Sequence, residues 1–218
     1  VAKRNAYCPE MSTDNVYLAG CKLDREFADQ VNMDFRLQAD SSLRGNKPGE
    51  SDRGAFPYAT NIFYLKPDGN DGSNGLSVRS AWKTFDRGLR DLKAGDTLYL
   101  LAGQYPVGTK QVTLQGSPGK PVRLRGRGLE RVIMSGNLEL KDCNHVVFER
   151  LNFAGGVQIE SGEGISFAQC RLAGQESGLT AKDTIGLRMT HCELAGFAKA
   201  GLVVAGGNGT FLAGNIFD

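Results

Sequence analysis

The sequence predicts an all-β fold, a right-handed parallel β-helix with an N-terminal amphipathic cap helix. Three observations carry that prediction. Four eight-residue segments, 146–153, 165–172, 187–194 and 210–217, share one pattern. Their third residues are Phe148, Phe167, Met189 and Leu212, and their eighth are Phe153, Leu172, Leu194 and Phe217. The segments begin 19, 22 and 23 residues apart, at 146, 165, 187 and 210, a period that marks stacked coils. Finally, 29 glycines among 218 residues suit many tight turns between short strands.

A fifth copy of the pattern stands at 16–23, with Leu18 third and Leu23 eighth, ahead of the other four. Val1 takes the place of an initiator Met and lies just before that copy, so the sequence reads as a fragment or a mature piece. Two regions follow from the order of the segments. Residues 1–57 read as terminal coils and a closing segment, and 58–218 as the capped beginning of a β-helix.

Within 58–218, residues 61–65 form a short strand, followed by a run of turn formers from Pro67 to Gly75. Ser80 can then cap a helix over 81–93, in which Trp82, Phe85, Leu89 and Leu92 make one apolar stripe. Such a helix would cover the first coil, whose core and strand edge otherwise face water. Strands follow at 96–101, 122–125 and 132–134, and a second strand accompanies each repeat at 138–141, 157–160, 179–182 and 202–205. Alternation sends Leu138/Leu140, Val157/Ile159, Leu179/Ala181 and Leu202/Val204 inward. The outward columns are then Glu139/Gln158/Thr180/Val203 and Lys141/Glu160/Lys182/Ala205.

Composition narrows the function. A net charge of +2 favours neither nucleic acid nor an anionic membrane surface. No run approaches the roughly 18 apolar residues of a membrane-spanning helix. Cys21, Cys170 and Cys192 share the sixth position of the repeat, with Leu151 and Asn215 in the other copies. Stacked strands stand about 4.7–4.9 Å apart, slightly beyond the usual disulfide Cβ separation of roughly 3.5–4.5 Å. A column of buried thiols acting as small hydrophobes is therefore expected, and no CxxC pair argues for zinc.

At 63–105 the residues carry a family resemblance: Asp68-Gly-Asn-Asp-Gly, Ala81-Trp-Lys-Thr-Phe, Ala94-Gly-Asp-Thr-Leu-Tyr-Leu and Ala102-Gly-Gln-Tyr. This run resembles the N-terminus of right-handed parallel β-helix proteins of the pectate-lyase-like superfamily, bacterial extracellular type. Asp34-Phe-Arg-Leu-Gln and Asp52-Arg-Gly-Ala-Phe-Pro resemble the closing segments of such modules. The resemblance implies an extracellular or cell-surface protein. It also implies a possible lyase or hydrolase on acidic polysaccharide, working with Lys or Arg bases, carboxylate pairs and often calcium.

The order of the two regions, end first and start second, admits three explanations. The chain is one unit of a tandem array, or a protein whose N-terminal coil docks on a neighbour's C-terminal coil, or a piece spanning two unrelated modules. In the first two, the repeat at 210 is followed on schedule by the one at 16 in the next copy. Leu18, Cys21 and Leu23 then meet Leu212, Asn215 and Phe217 in an assembly seam, and copies join head to tail as a filament, sheath or surface layer.

Candidate chemistry is sparse. Lys141, Glu160 and Lys182, with Asp183 alongside, are suitable for general acid–base work, and equally for a ladder of alternating charge between coils. No residue matches a lyase or hydrolase active-site motif closely enough to take over a catalytic role. His145 and His191 occupy different repeat positions and read as isolated turn residues. Asp68, Asn70 and Asp71, with Asn74, offer oxygens that suit Ca²⁺ or a loop of Asx-turns. Arg123, Arg125 and Arg127 form a basic cluster with Lys120 and Arg131, fit for acidic glycan or a solvated face. Asn208-Gly-Thr is an N-glycosylation sequon.

Overall fold

The structure, a computed structural model, describes residues 23–45, 61–128, 131–174 and 176–218. The chain divides into two compact units, Val1–Thr60 and Asn61–Asp218. In the first, a helical turn Leu23–Glu26 leads into strand Phe27–Asp29, which pairs antiparallel with Asp34–Leu37. The reversal uses a 3₁₀ turn Gln30–Asn32 and Met33 in the left-handed region at φ 61°. Phe27 and Phe35 meet edge to face at 5.6 Å. The Glu26 carboxylate accepts from the Ser41 hydroxyl, the Ser42 hydroxyl and the Ser42 N–H, holding the following turn.

The second unit is a parallel β-helix. Seven short strands stack in one sheet: Ile62–Leu65, Thr97–Leu100, Val122–Gly126, Val146–Glu149, Ser166–Ala168, Arg188–Thr190 and Phe211–Ala213. The second sheet supplies two further faces, because strand Val132–Asn144 bends between them. Its Ile133 and Met134 pair with Asn152 and Phe153, whereas Leu138 through Asn144 pair with Val157 through Glu163. The longer face continues through Ser177–Ile185 and Ala200–Ala205. The shorter one continues through Arg171–Ala173, Glu193–Ala195 and Ile216–Phe217.

Register confirms the repeat. Phe148, Phe167, Met189 and Leu212 lie opposite one another in successive coils, as do Phe153, Leu172, Leu194 and Phe217. Because side chains alternate across a strand, these columns point together into a continuous core with Leu138, Leu140, Val157, Ile159, Leu179 and Ala181. Phe148 stacks on Phe167 with ring centres 5.0 Å apart, and Phe153 meets both edge-on. Stacking coils at the strand spacing brings like residues into contact, and a ladder of aromatic faces results.

Corners repeat as well. Arg150, Gln169, His191 and Gly214, at the fifth repeat position, have φ of 54°, 53°, 53° and 63°. His145, Gly164, Gly186 and Gly209, each just before a repeat, have φ of 48°, 64°, 67° and 70°. Left-handed backbone costs a non-glycine residue energy, and bonds to the next coil offset it. Arg150, Gln169 and His191 donate their N–H to Ala168, Thr190 and Ala213 carbonyls at 2.9–3.0 Å.

One expectation changes, and one strand is added. The helix expected over 81–93 is only the five residues Phe85–Leu89, and its cap is Thr84, whose Oγ1 accepts from Arg87 N at 3.2 Å. Before it, Trp82 is held extended: its N–H donates to the Tyr64 carbonyl and its carbonyl accepts from Lys66 N, both at 2.9 Å. A residue committed to that bridge cannot also start a helix. The repeat pattern does not mark strand Gly103–Val112. It contains Pro106, which sits where the pairing with Val132–Asn144 shifts register, a bulge that tolerates a missing N–H.

Candidate functional site

The long-strand face brings Lys141, Glu160 and Lys182 into one column, Glu160 being paired in register with Lys141 on one side and Lys182 on the other. Lys141 Nζ lies 3.8 Å from Glu160 Oε2, and both side chains are about half exposed. This is a solvated ion pair of alternating sign, the arrangement that lets coils stack without repulsion. Asp183 is one residue further along, in the left-handed region at φ 48°. Its Oδ1 lies 2.3 Å from where a Cβ on Gly206 would stand, so the carboxylate covers the corner of the next coil.

Beside this column the turns of three coils enclose a groove of about 480 Å³. Gly136, Gly155 and Gly156 form its floor, and Asn137, Gln158, Glu176, Ser177 and Thr180 its walls. Glycine is needed at 155 because a Cβ there would lie 2.2 Å from the Gly136 carbonyl oxygen. Asn137 Oδ1 accepts from Gly156 N at 3.1 Å, and the Glu176 carboxylate pairs with Lys199 at 2.9 Å. Gln158 and Thr180 belong both to the groove and to the outward column next to Lys141 and Lys182. Asn137 and Glu176 carry no repeat signature, and only the glycines around them mark this corner in the sequence.

Charge on this face is unbalanced. Glu139, Asp142, Glu160, Glu163 and Asp183 are carboxylates, and Lys141 and Lys182 supply the ammoniums. A second depression, about 540 Å³, lies between Lys83–Asp86 and strand Gly103–Val112, and there Lys110 is engaged by Asp86 at 2.9 Å.

Arg123 and Arg125 sit elsewhere, on the outer side of the seven-strand sheet, and converge on one carboxylate. Arg125 Nε pairs with Glu149 Oε2, and Arg123 approaches Glu149 Oε1 at 3.9 Å. The Arg125 guanidinium also lies 5.7 Å from the Tyr99 ring centre. Glu149 thus neutralises part of the basic cluster. Arg127 follows that strand and donates its N–H to the Leu100 carbonyl at 2.8 Å.

In the loop after the first strand, Asn70 Oδ1 accepts from Gly72 N and Asn74 Oδ1 from Leu76 N, both Asx-turns. Asp71 reaches further. Its Oδ1 accepts from Lys83 N at 2.7 Å and Thr84 N at 2.9 Å, and its Oδ2 from the Thr84 hydroxyl at 2.7 Å. Partial burial would raise this carboxyl, but hydrogen bonds from Thr84 and Lys83 and the charge of Arg87 outweigh it and hold it below its ordinary value. Asp68 lies 3.8 Å from Lys66 Nζ and is largely exposed. Among the described residues no three His, Cys, Asp or Glu side chains gather as a metal site would require.

Of the seam residues, Leu18 and Cys21 lie outside the described residues, and Leu23 begins the helical turn Leu23–Glu26. Leu212 and Phe217 keep their inward columns, yet they are 45% and 52% exposed, because no further described coil covers them. Asn215 continues the thiol column. Cys143, Cys170 and Cys192 are free and buried. Cys170 and Cys192 interact: burial and its neighbour push the Cys170 thiol up, and the hydrogen bond from Cys170 draws Cys192 down to about 7. His145 and His191 stand at different corners, each ring lying over the glycine of the next coil, Gly164 or Gly214.

No family model and no curated protein matches the sequence. Among solved structures the chain is similar to pectate lyase Pel9A, with 16% identity and a TM-score of 0.63, over 72% of this chain and 49% of that one. It is also similar to the GH136 lacto-N-biosidase from Eubacterium ramulus, with 11% identity and a TM-score of 0.58, over 71% of this chain and 40% of that one. The chain spans half or less of the length of either. At such identities the likeness is one of architecture, and it agrees with the stacked parallel sheets. The chain is a parallel β-helix of the pectate-lyase-like fold.

Proposed function

We propose that this β-helix engages saccharide outside the cell, in the groove floored by Gly155 and Gly156 and along the adjoining Lys141–Glu160–Lys182 column. The observation that carries this reading is that Gln158 and Thr180 belong to both features, so groove and column form one polar surface. Its volume, about 480 Å³, falls within the range of small-molecule sites, about 300–1,000 Å³. The walls offer amides, hydroxyls and a carboxylate, the partners that sugar hydroxyls use. Two of the solved structures similar to this chain are named a pectate lyase and a lacto-N-biosidase, and saccharide chemistry on this fold supports the reading by analogy.

The excess of carboxylates on this face favours a neutral glycan over an acidic one, since an acidic chain would meet like charge. In this reading Lys141, Glu160, Lys182 and Asp183 orient the chain of sugars, and no cofactor is required. Calcium at Asp68, Asn70 and Asp71 is a separate proposal, because Asp71 already serves Lys83 and Thr84. Calorimetric titration with neutral oligosaccharides and with oligogalacturonate tests the proposal. Neutral ligands bind, and Gln158→Ala with Thr180→Ala weakens them severalfold. Binding that ignores the double variant, or no binding, sinks the reading. Ultraviolet detection of unsaturated products from oligogalacturonate would instead assign a lyase acting on acidic glycan.

A second reading is structural: copies join end to end into a filament, sheath or surface layer. The observation that favours it is the fifth copy of the repeat pattern at 16–23, which shares the apolar third and eighth positions of the four stacked coils. Sedimentation of the chain at rising concentration tests it, and a concentration-independent monomer rules it out.

A further inference from the structure

We propose that Cys170 and Cys192 are a disulfide site, oxidised to a bond that staples two successive coils of the β-helix. Both thiols are free and buried in the structure, and register brings them together. Gln169 N donates to the Thr190 carbonyl and Glu193 N to the Cys170 carbonyl, both at 2.9 Å. Arg171 faces Glu193 in the paired strands that follow. The two cysteines therefore stack one coil apart, and each thiol lies within hydrogen-bond reach of the other. Strand spacing sets about 4.8 Å between α-carbons stacked in this way, inside the roughly 4.4–6.8 Å that disulfides span. The β-carbons at that spacing exceed the usual disulfide limit of about 4.5 Å by a few tenths of an ångström. Both cysteines lie between strands, just after the left-handed residues Gln169 and His191, so that shift is taken up outside the strand ladders.

No other described cysteine competes for either partner. In this column Leu151 precedes the pair and Asn215 follows it. Cys143 belongs to a different column, where it faces Gly162. Its thiol donates to the Val112 carbonyl and accepts from Leu114 N, both at 3.3 Å. Disulfides persist outside the cell, the location that the saccharide reading already takes. The oxidant is a low-molecular-weight disulfide such as oxidised glutathione. One cysteine thiolate attacks it, forming a mixed disulfide and releasing one small thiolate. The second cysteine thiolate attacks the protein sulfur of that mixed disulfide and expels the other. The two cysteine protons end on the two released thiolates, so the S–S bond of the oxidant is lost as that of the protein is made. In the folded chain Cys170 and Cys192 are only 2% and 1% exposed. Exchange therefore belongs to the folding chain, before the coils close over the sulfurs.

The test is a disulfide map of the full chain, produced in an oxidising secretory compartment and, separately, in a reducing cytosol. Free thiols are alkylated in denaturant, and the chain is cut by trypsin without reductant. From the oxidised protein, peptides 151–171 and 189–199, which carry Cys170 and Cys192, are recovered joined; from the reduced protein they are recovered apart. Thermal melts followed by the fluorescence of Trp82, the single tryptophan, report on the β-helix itself. Reductant lowers the midpoint of the oxidised protein by roughly 5–10 °C, because the closed loop no longer restricts the unfolded chain. Alkylated Cys170 and Cys192 in folded protein from the oxidising compartment overturn the site. Either cysteine joined instead to Cys8, Cys21, Cys143 or glutathione does the same. A joined pair whose midpoint ignores reductant overturns the stapling role. Circular dichroism identifies the folded protein in each preparation.

Discussion

Asn215 holds the coil beneath it through Cys192: its Oδ1 accepts from Cys192 N at 2.8 Å, and its Nδ2 donates to the Met189 carbonyl at 2.9 Å. One amide thus satisfies a donor and an acceptor at a corner where the other coils place Leu151, Cys170 or Cys192. Asn215→Ala leaves both partners without the amide, at a cost of about 1–3 kcal/mol. The loss falls on the last described coil, so global unfolding reports only part of it. Amide hydrogen exchange is the sharper measure: the Cys192 and Phe211 amides should lose protection, and those near Phe148 should keep it.

The Phe148–Phe167 stack, 5.0 Å between ring centres, lies at the middle of the core. Both rings are fully buried, and Phe153 closes on them from the side. Truncation at Phe167→Ala removes contacts with two coils and leaves a cavity that rigid strands cannot close. The expected loss is about 3–5 kcal/mol by urea denaturation. Phe167→Met, which extends the Met189 type by one coil, should lose distinctly less.

These columns were legible in the sequence because one face of each strand is buried, and a slip of one residue would expose the whole set. Phe148, Phe167, Met189 and Leu212 could be aligned from spacing alone. The corners were not legible. Arg150 and Gln169 are uncommon residues for a left-handed turn, and with His191 they adopt it because N–H groups there bond to the next coil. The helix is shorter than its pattern for a related reason: the Trp82–Phe85–Leu92 spacing fits a helix, but the backbone of Trp82 pairs with Tyr64 and Lys66. The groove has no signature in the sequence. It is assembled from Asn137, Gly156 and Ser177, in three different coils, and no local pattern marks residues that meet only through stacking.

Asp71 gives the fold a pH dependence with a defined sign. Its folded pKa is lowered from 3.8, so its contribution is fully present above that value and is lost as the pH falls through the lower folded value. The group is near the surface, and solvent screening limits the effect to about 1 kcal/mol. Asp71→Ala should therefore lower stability near neutral pH and flatten the acid limb below pH 3.8. Asp71→Asn retains neutral bonds to Lys83 and Thr84, and should be intermediate in stability with no such limb. Thermal melts across the acid range separate the three proteins. An unchanged acid limb in Asp71→Ala would assign the pH response to other carboxylates.

Two neighbouring glycines separate the stability of the groove from its use. A methyl on Gly155 would stand 2.2 Å from the Gly136 carbonyl oxygen, a backbone atom that cannot yield without parting two coils. Gly155→Ala should therefore lose about 1–3 kcal/mol or more. A methyl on Gly156 meets only Ser177 O at 3.3 Å and Asn137 Oδ1 at 3.8 Å, so a shift of a few tenths of an ångström accommodates it. Stability of Gly156→Ala should then remain within about 1 kcal/mol of the wild type. The added methyl nonetheless occupies the groove floor and lies near the Asn137 oxygen that binds Gly156 N. Saccharide affinity should fall in Gly156→Ala while its melting curve stays close to that of the parent protein. Calorimetry and thermal denaturation on the same samples decide the matter, and undiminished affinity in a stably folded Gly156→Ala protein would move the saccharide site away from this groove.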